Sequence, residues 1–242
     1  MFNCMRHGKA GRTLRDLPAG TAMRDLFRQT EDMLTGTVFE RIGYLPGPEA
    51  WSLLRGTFPD LPDRRLIEIV DIEFWPTLET EDEGRRFVEP DVVLTVDLGD
   101  PARRTVLVVE AKTAGGQYSD QWGAQLRAVK LRTEDDGATE DIIYAALGGL
   151  GGPDNPKSLW MAVPADLREG IHFVHGDWSD LGRAIASRSS KSPEIDRIVE
   201  DIAEALALYG YVTTRLSEAM FEIDRPRNAE EALKAMTMGE AA

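Results

Sequence analysis

Two apolar, β-branched runs, Asp91-Val92-Val93-Leu94-Thr95-Val96 and Thr105-Val106-Leu107-Val108-Val109, flank the turn signal Gly99-Asp100-Pro101. Runs of this composition around a Gly/Pro break predict two adjacent antiparallel strands. A turn centred between Asp100 and Pro101 places Asp91 directly opposite Glu110, and opposed side chains on neighbouring strands sit within roughly 5 Å of each other. Side chains alternate along a strand, so Glu110 and Lys112 share one face about 7 Å apart while Ala111 points away. The hairpin thus predicts two carboxylates and an amine gathered at one end of a sheet.

Carboxylates that close repel and raise each other's pKa unless a cation lies between them. Hard oxygen ligands in small number suit Mg²⁺ or Mn²⁺ rather than zinc. A divalent ion there polarises a phosphoryl oxygen and acidifies a bound water, and Lys112 can hold that water or offset charge developing on phosphorus.

Pro90-Asp91 followed by Glu110-Ala111-Lys112 resembles the motif of the PD-(D/E)xK phosphodiesterase superfamily, the restriction-endonuclease-like nucleases. The resemblance implies an α/β fold with an αβββαβ core, a central mixed sheet of four to five strands flanked by helices, and here additional C-terminal helices. It implies that Asp91 and Glu110 ligate Mg²⁺ (or Mn²⁺), that the Ala111 carbonyl adds a ligand, and that Lys112 serves the attacking water. Many members continue with a helix that begins near an Asp-Gln pair and faces the site. Ser119-Asp120-Gln121-Trp122 after Gly115-Gly116 carries that supporting role to Gln121, with Gln125 one turn later on the same face.

Members also place an acidic residue on a helix before the hairpin. The segment from Arg24 to Gly43 reads as that helix, with Leu34, Val38 and Ile42 as an apolar stripe. Glu31, three residues before Leu34, leans toward the buried face, whereas Glu40 is about 900° further round and points to the opposite side. Glu31 is therefore the expected acid, contributing to the metal directly or through water, and Glu40 is the fallback. The resemblance covers the order of elements between residues 25 and 185. The implied activity is metal-dependent hydrolysis of DNA phosphodiester bonds, in a setting of microbial (antiviral) defence against foreign DNA. It leaves a preference between DNA and RNA open. The alternative is a non-catalytic interaction subunit that keeps the nuclease fold.

The net charge of −14 argues against a non-specific nucleic-acid coat, because neutralisation of phosphates by Lys and Arg supplies most of such affinity. The charge is unevenly spread: residues 1–132 hold 18 basic and 21 acidic side chains, and residues 133–242 hold 10 and 21. Arg64-Arg65, Arg85-Arg86, Arg103-Arg104, Arg127, Lys130 and Arg132 are candidates for a local phosphate-contacting rim. The acidic C-terminal half is a candidate surface for a protein partner, and cutting both strands in one event calls for a homodimer. The single Cys4 forbids an intrachain disulfide and fits a cytoplasmic protein. No signal peptide or membrane span is expected.

The chain divides into an N-terminal arm (1–20), a nuclease-like domain (21–190) and a C-terminal helical extension packed on the core (191–242). Leu66 to Trp75 is a predicted strand, preceded by a short helix through Trp51 to Arg55, and Glu79 to Glu83 a charged loop. Asp141 to Leu147 is a further strand, Gly148 to Pro153 a flexible connection, and Ile171 to His175 a short strand. Asp177 caps a helix beginning at Trp178. From Pro193 the stripe Ile195, Ile198, Val199, Ile202, Leu206 and Tyr209 predicts a helix, with a weaker one from Ala229 to Met236. His172 and His175 fall on opposite strand faces and do not share a metal. Trp122 and Trp178 read as core.

Overall fold

The computed structural model describes residues 31–80, 86–135, 141–150, 155–189 and 192–212. The expected arm, the first turns of the Arg24–Gly43 helix, most of the charged loop, Gly151 to Pro153 and the Ala229–Met236 helix lie outside these residues.

The hairpin forms in the expected register. Strand β4 (Val92–Leu98) pairs antiparallel with β5 (Arg103–Ala111), with Val92 opposite Val109 and Leu98 opposite Arg103. Gly99 between them takes φ +87°, a left-handed conformation that costs glycine little. Strand β1 (Leu66–Phe74) adds antiparallel to β4, and β6 (Asp141–Leu147) and β7 (Ile171–Gly176) add parallel beyond β5, giving a mixed five-stranded sheet in the order β1-β4-β5-β6-β7. A two-residue ribbon, β2 (Leu78–Glu79) paired with β3 (Phe87–Val88), stands apart. Elements of two residues carry no periodicity, so the charged-loop reading could not reveal it.

Helices cover both faces, as parallel strands require. One core holds Val92, Leu94, Val96, Leu107 and Val109 against helices α1 (Glu31–Ile42), α2 (Gly47–Thr57), α6 (Trp178–Ala186) and α7 (Pro193–Leu208). The other holds Val93, Val106, Val108 and Tyr144 against α3 (Ser119–Asp135), α4 (Pro156–Ala162) and α5 (Ala165–Arg168). The fold is α/β, a central mixed sheet flanked by helices that include C-terminal ones. The predicted stripe of α7 delivers Val199, Ile202 and Leu206 into the first core, and Asp177 caps α6 in a capping box with Asp180. Trp122 and Trp178 are fully buried. Among the described residues no helix is long and apolar enough to cross a membrane.

Alternation sets the site. Glu110 shares strand parity with Val106 and Val108, so it faces α3. The carboxyl ends of β5 and β6 bring Lys112 beside the end of β6, where its N–H donates to Leu147 O (2.8 Å).

Candidate functional site

Asp91 immediately precedes β4 and is nearly buried; its Oδ2 accepts the Ala111 N–H at 2.8 Å. The Asp91 main chain is anchored in turn, its carbonyl accepting from Trp75 N–H at 3.0 Å. Glu110 is only 1% exposed, yet both of its carboxylate oxygens are satisfied. Gln121 Nε2 donates to Oε1 and Gln125 Nε2 to Oε2, each at 2.7 Å, and the Lys112 ammonium also meets Oε1. Gln121 and Gln125 are one turn apart on α3, so the spacing of four that puts residues on one helix face puts one amide on each oxygen.

Lys112 Nζ further contacts Ala111 O at 3.1 Å and Glu31 Oε1 at 3.4 Å. Glu31, in the first turn of α1, also accepts Thr113 N–H at 2.6 Å through Oε2. The helix acid at this site is therefore Glu31. Glu40 lies at the other end of α1, about 13 Å along the axis, against Arg41 (3.4 Å). Asp91, Glu110, Ala111, Lys112, Gln121 and Glu31 thus come together from α1, β5, α3 and the residue before β4.

Burial pushes the carboxyl of Asp91 well above the usual carboxylate range, and the charge of Glu110 adds to it against the pull of Lys112. Glu110 is raised for the same leading reason, with Lys112 and Gln125 working against the shift. For Lys112, burial favours the neutral amine, but the charges of Glu110, Asp91 and Glu31 outweigh it and hold the group firmly protonated. The acids are thus short of positive charge even with the lysine among them.

Other residues complete the site. Tyr144 Oη donates to Gln125 Oε1 at 2.5 Å, and burial, then Glu110 and Asp91, hold its phenol well above its ordinary pKa. Gln117 Nε2 donates to Glu110 O (3.2 Å) and Gly148 O (3.1 Å), while its Oε1 accepts from the Trp122 indole at 2.9 Å. The Trp178 indole donates to Lys112 O and Tyr211 Oη to Thr113 O, both at 3.1 Å. No sequence pattern marked Gln117, Tyr144 or Tyr211: Tyr144 and Tyr211 reach the site over long separations, and Gln117 lies in an irregular loop with no periodicity to read. Gly148 and Gly149, expected in a flexible connection, instead pack on Lys112. A Cβ at Gly148 would lie 2.1 Å from Lys112 O.

Of the rim candidates, Arg86 stands over Phe87, Arg85 lies outside the described residues, and several others are turned away from the acids. Arg64, Arg103 and Arg104 stand at the opposite end of the sheet, where Arg64 pairs with Asp141 (3.3 Å) and Arg104 with Asp97 (2.6 Å). The rise along β5 separates Arg104 from Glu110 by about 20 Å. Arg132 pairs with Glu73 at 2.8 Å, and Lys130 donates to the carbonyls of Asp166 and Glu169. Among the described residues, no group of three or more His, Cys, Asp or Glu side chains is disposed to hold a metal ion; Glu110 and Glu31 converge on the Lys112 ammonium instead.

Over 223 residues the chain is 30% identical to an uncharacterized protein of Pasteurella multocida (strain Pm70), spanning 87% of this chain and 80% of that one. The chain belongs to that protein's family. No protein-family model matches it, and no solved structure does. In this family the reading of the site rests on its own geometry.

Proposed function

We propose that this protein is a metal-dependent nuclease of the PD-(D/E)xK type, hydrolysing phosphodiester bonds in nucleic acid. The observation that carries the reading is the convergence of Glu110 Oε1, Glu31 Oε1 and Ala111 O on one cation, the Lys112 ammonium, beside a second buried acid, Asp91, whose carboxyl is raised. This donor set fits Mg²⁺ or Mn²⁺. It is all oxygen, it carries uncompensated negative charge, and Mg²⁺ takes only one or two carboxylates from a protein and keeps waters and phosphate oxygens for the rest. Asp91 and Glu110 suffice for such an ion, with Ala111 O and Glu31 at hand. When bound, the ion supplies polarisation of a phosphoryl oxygen and a more acidic water.

The remaining work falls to the chain's own side chains. Gln121 and Gln125 fix the two oxygens of Glu110, and Tyr144 fixes Gln125. Trp178 and Tyr211 hold the successive carbonyls of Lys112 and Thr113, so the ammonium starts from a set position. There it can orient a water and offset charge that develops on the phosphate oxygens. The biological setting we infer, defence against foreign DNA, follows from the same resemblance.

The test is incubation with linear, circular and single-stranded DNA and with RNA, in Mg²⁺, Mn²⁺ or EDTA, beside Asp91→Ala and Lys112→Ala. Cleavage that needs the metal and is lost in both variants supports the proposal. Cleavage that survives in both variants or in EDTA refutes it.

A further inference from the structure

The nuclease reading gives no role to Glu89, which precedes Pro90-Asp91, or to the exposed aromatic Phe87. Both border a cleft of about 340 Å³ lined by Thr77, Phe87, Val88, Glu89, Gln121 and Gln125, a size in the range of small-molecule sites. The cleft is lined by Gln121 and Gln125, whose amides hold the Glu110 carboxylate, so whatever occupies it lies one side chain away from that acid. Pairing of β2 with β3 turns Leu78 and Val88 into the α3 core. Alternation then turns Phe87 outward, where it is 44% exposed, with the Arg86 guanidinium 5.2 Å above its ring. Glu89, whose Oε1 accepts from Thr77 Oγ1 at 3.4 Å, adds an acceptor at the rim.

From this we infer that the cleft between the β2/β3 ribbon and α3 takes one unpaired nucleobase of the strand being cut, stacked against the Phe87–Arg86 pair. The inference rests on the nuclease reading, which puts the adjoining phosphate at Asp91, Glu110 and Lys112. Two features favour an unstacked base over a continuous duplex. Duplex affinity grows with the number of phosphates met by Lys and Arg, yet Arg64 and Arg104 lie at the far end of the sheet in ion pairs, and Arg132 is paired as well. A base face, by contrast, is available to an aromatic platform only when the base is out of the stack, and each such contact is worth roughly 5- to 150-fold in affinity. The Glu89 carboxylate repels a phosphate but accepts a hydrogen bond from an exocyclic amine.

The experiment measures fluorescence anisotropy of the full chain in EDTA with fluorescein-labelled mixed-sequence strands of about twelve nucleotides, as single-stranded DNA, single-stranded RNA and duplex DNA. Phe87→Ala and Phe87→Trp are compared with wild type, and cleavage of the same strands is followed separately in Mg²⁺. We expect either single strand to bind about tenfold or more tighter than the duplex. We expect Phe87→Ala to erase that preference at an unchanged thermal midpoint, and Phe87→Trp to restore it. Whichever strand, DNA or RNA, shows the Phe87-dependent preference is the source of the base. Duplex bound as tightly as single strand by wild type, or single-strand binding indifferent to Phe87→Ala, overturns the inference. Phe87-dependent binding without cleavage refutes only the nuclease reading, and cleavage indifferent to Phe87 with indifferent binding refutes only the base subsite.

Discussion

Asp91→Asn should stabilise the metal-free protein, and the gain should grow with pH. The Asp91 carboxyl is buried beside Glu110, and burial and that like charge together raise its pKa well above the ordinary value. A group whose folded pKa is raised favours folding in its protonated form: that contribution is complete below the unfolded pKa, near 4, and is lost as pH climbs through the folded value. Asparagine keeps a carbonyl oxygen to accept the Ala111 N–H, now at 2.8 Å from Oδ2, and removes the charge. It also forgoes the attraction to Lys112, which is the smaller effect because the net shift is upward. The exchange of a buried, poorly compensated charge for a neutral isostere is worth on the order of 1–3 kcal/mol, or about 2–4 °C in midpoint per kcal/mol for a chain of this size. Thermal unfolding in EDTA at pH 5 and pH 8 measures it: little difference from wild type at the lower pH, a higher midpoint for Asp91→Asn at the upper. Adding Mg²⁺ should then reverse the ranking. A ligand bound only by the folded protein stabilises it by about 2.7 kcal/mol at a hundredfold excess over Kd, and only wild type keeps the acid pair. A variant less stable than wild type at pH 8, or a gain that shrinks as pH rises, refutes the electrostatic account of the site.

Lys112→Met leaves Glu110 and Asp91 without their nearest cation, so urea unfolding at pH 8 should show a loss of about 3–5 kcal/mol. The loss should be smaller at pH 5, where the two raised carboxyls take up protons; a cost independent of pH would contradict the assignment. Burial, then the charges of Asp177 and Glu31, push the Tyr211 phenol up to about 12, so its contribution is intact below pH 10 and fades between there and 12. Tyr211→Phe should flatten that decline in wild-type stability and cost about 0.5–1.5 kcal/mol at neutral pH through the lost bond to Thr113 O; identical alkaline profiles would count against it. Gly148→Ala meets both a left-handed φ of +67° and a Cβ 2.1 Å from Lys112 O. It should lose at least about 1–3 kcal/mol together with Mg²⁺-dependent cleavage, and a variant with wild-type stability would show that the loop is free to move.

Much of the site was legible because its geometry is local. The Val92–Val109 register follows from a turn position and alternation over twenty residues; helical spacing puts Gln121 and Gln125 on one face of α3, and only the family resemblance implied that this face meets the acids. Glu31 was legible for a weaker reason: periodicity gave its face on α1, but only packing brings the helix end to Thr113. The arginines failed for a complementary reason. Adjacent numbers such as Arg103 and Arg104 say which strand a charge is on, not which end of the sheet that strand presents to the acids.

By itself the sequence determined the hairpin, its register, the parity that puts Glu110 and Lys112 on one face, and the apolar stripes that bury α1 and α7. Each is a repeat of two or 3.6 residues imposed by backbone geometry, readable without knowing what lies across the gap. Tertiary structure alone decided that Tyr144 reaches Gln125, that Tyr211 and Trp178 clamp the carbonyls of Thr113 and Lys112, and that Phe87 shares a cleft with Gln121 and Gln125. Those contacts join residues up to 98 positions apart, and no local preference encodes them. They come about as the helices dock on the two faces of the sheet and bury its two cores.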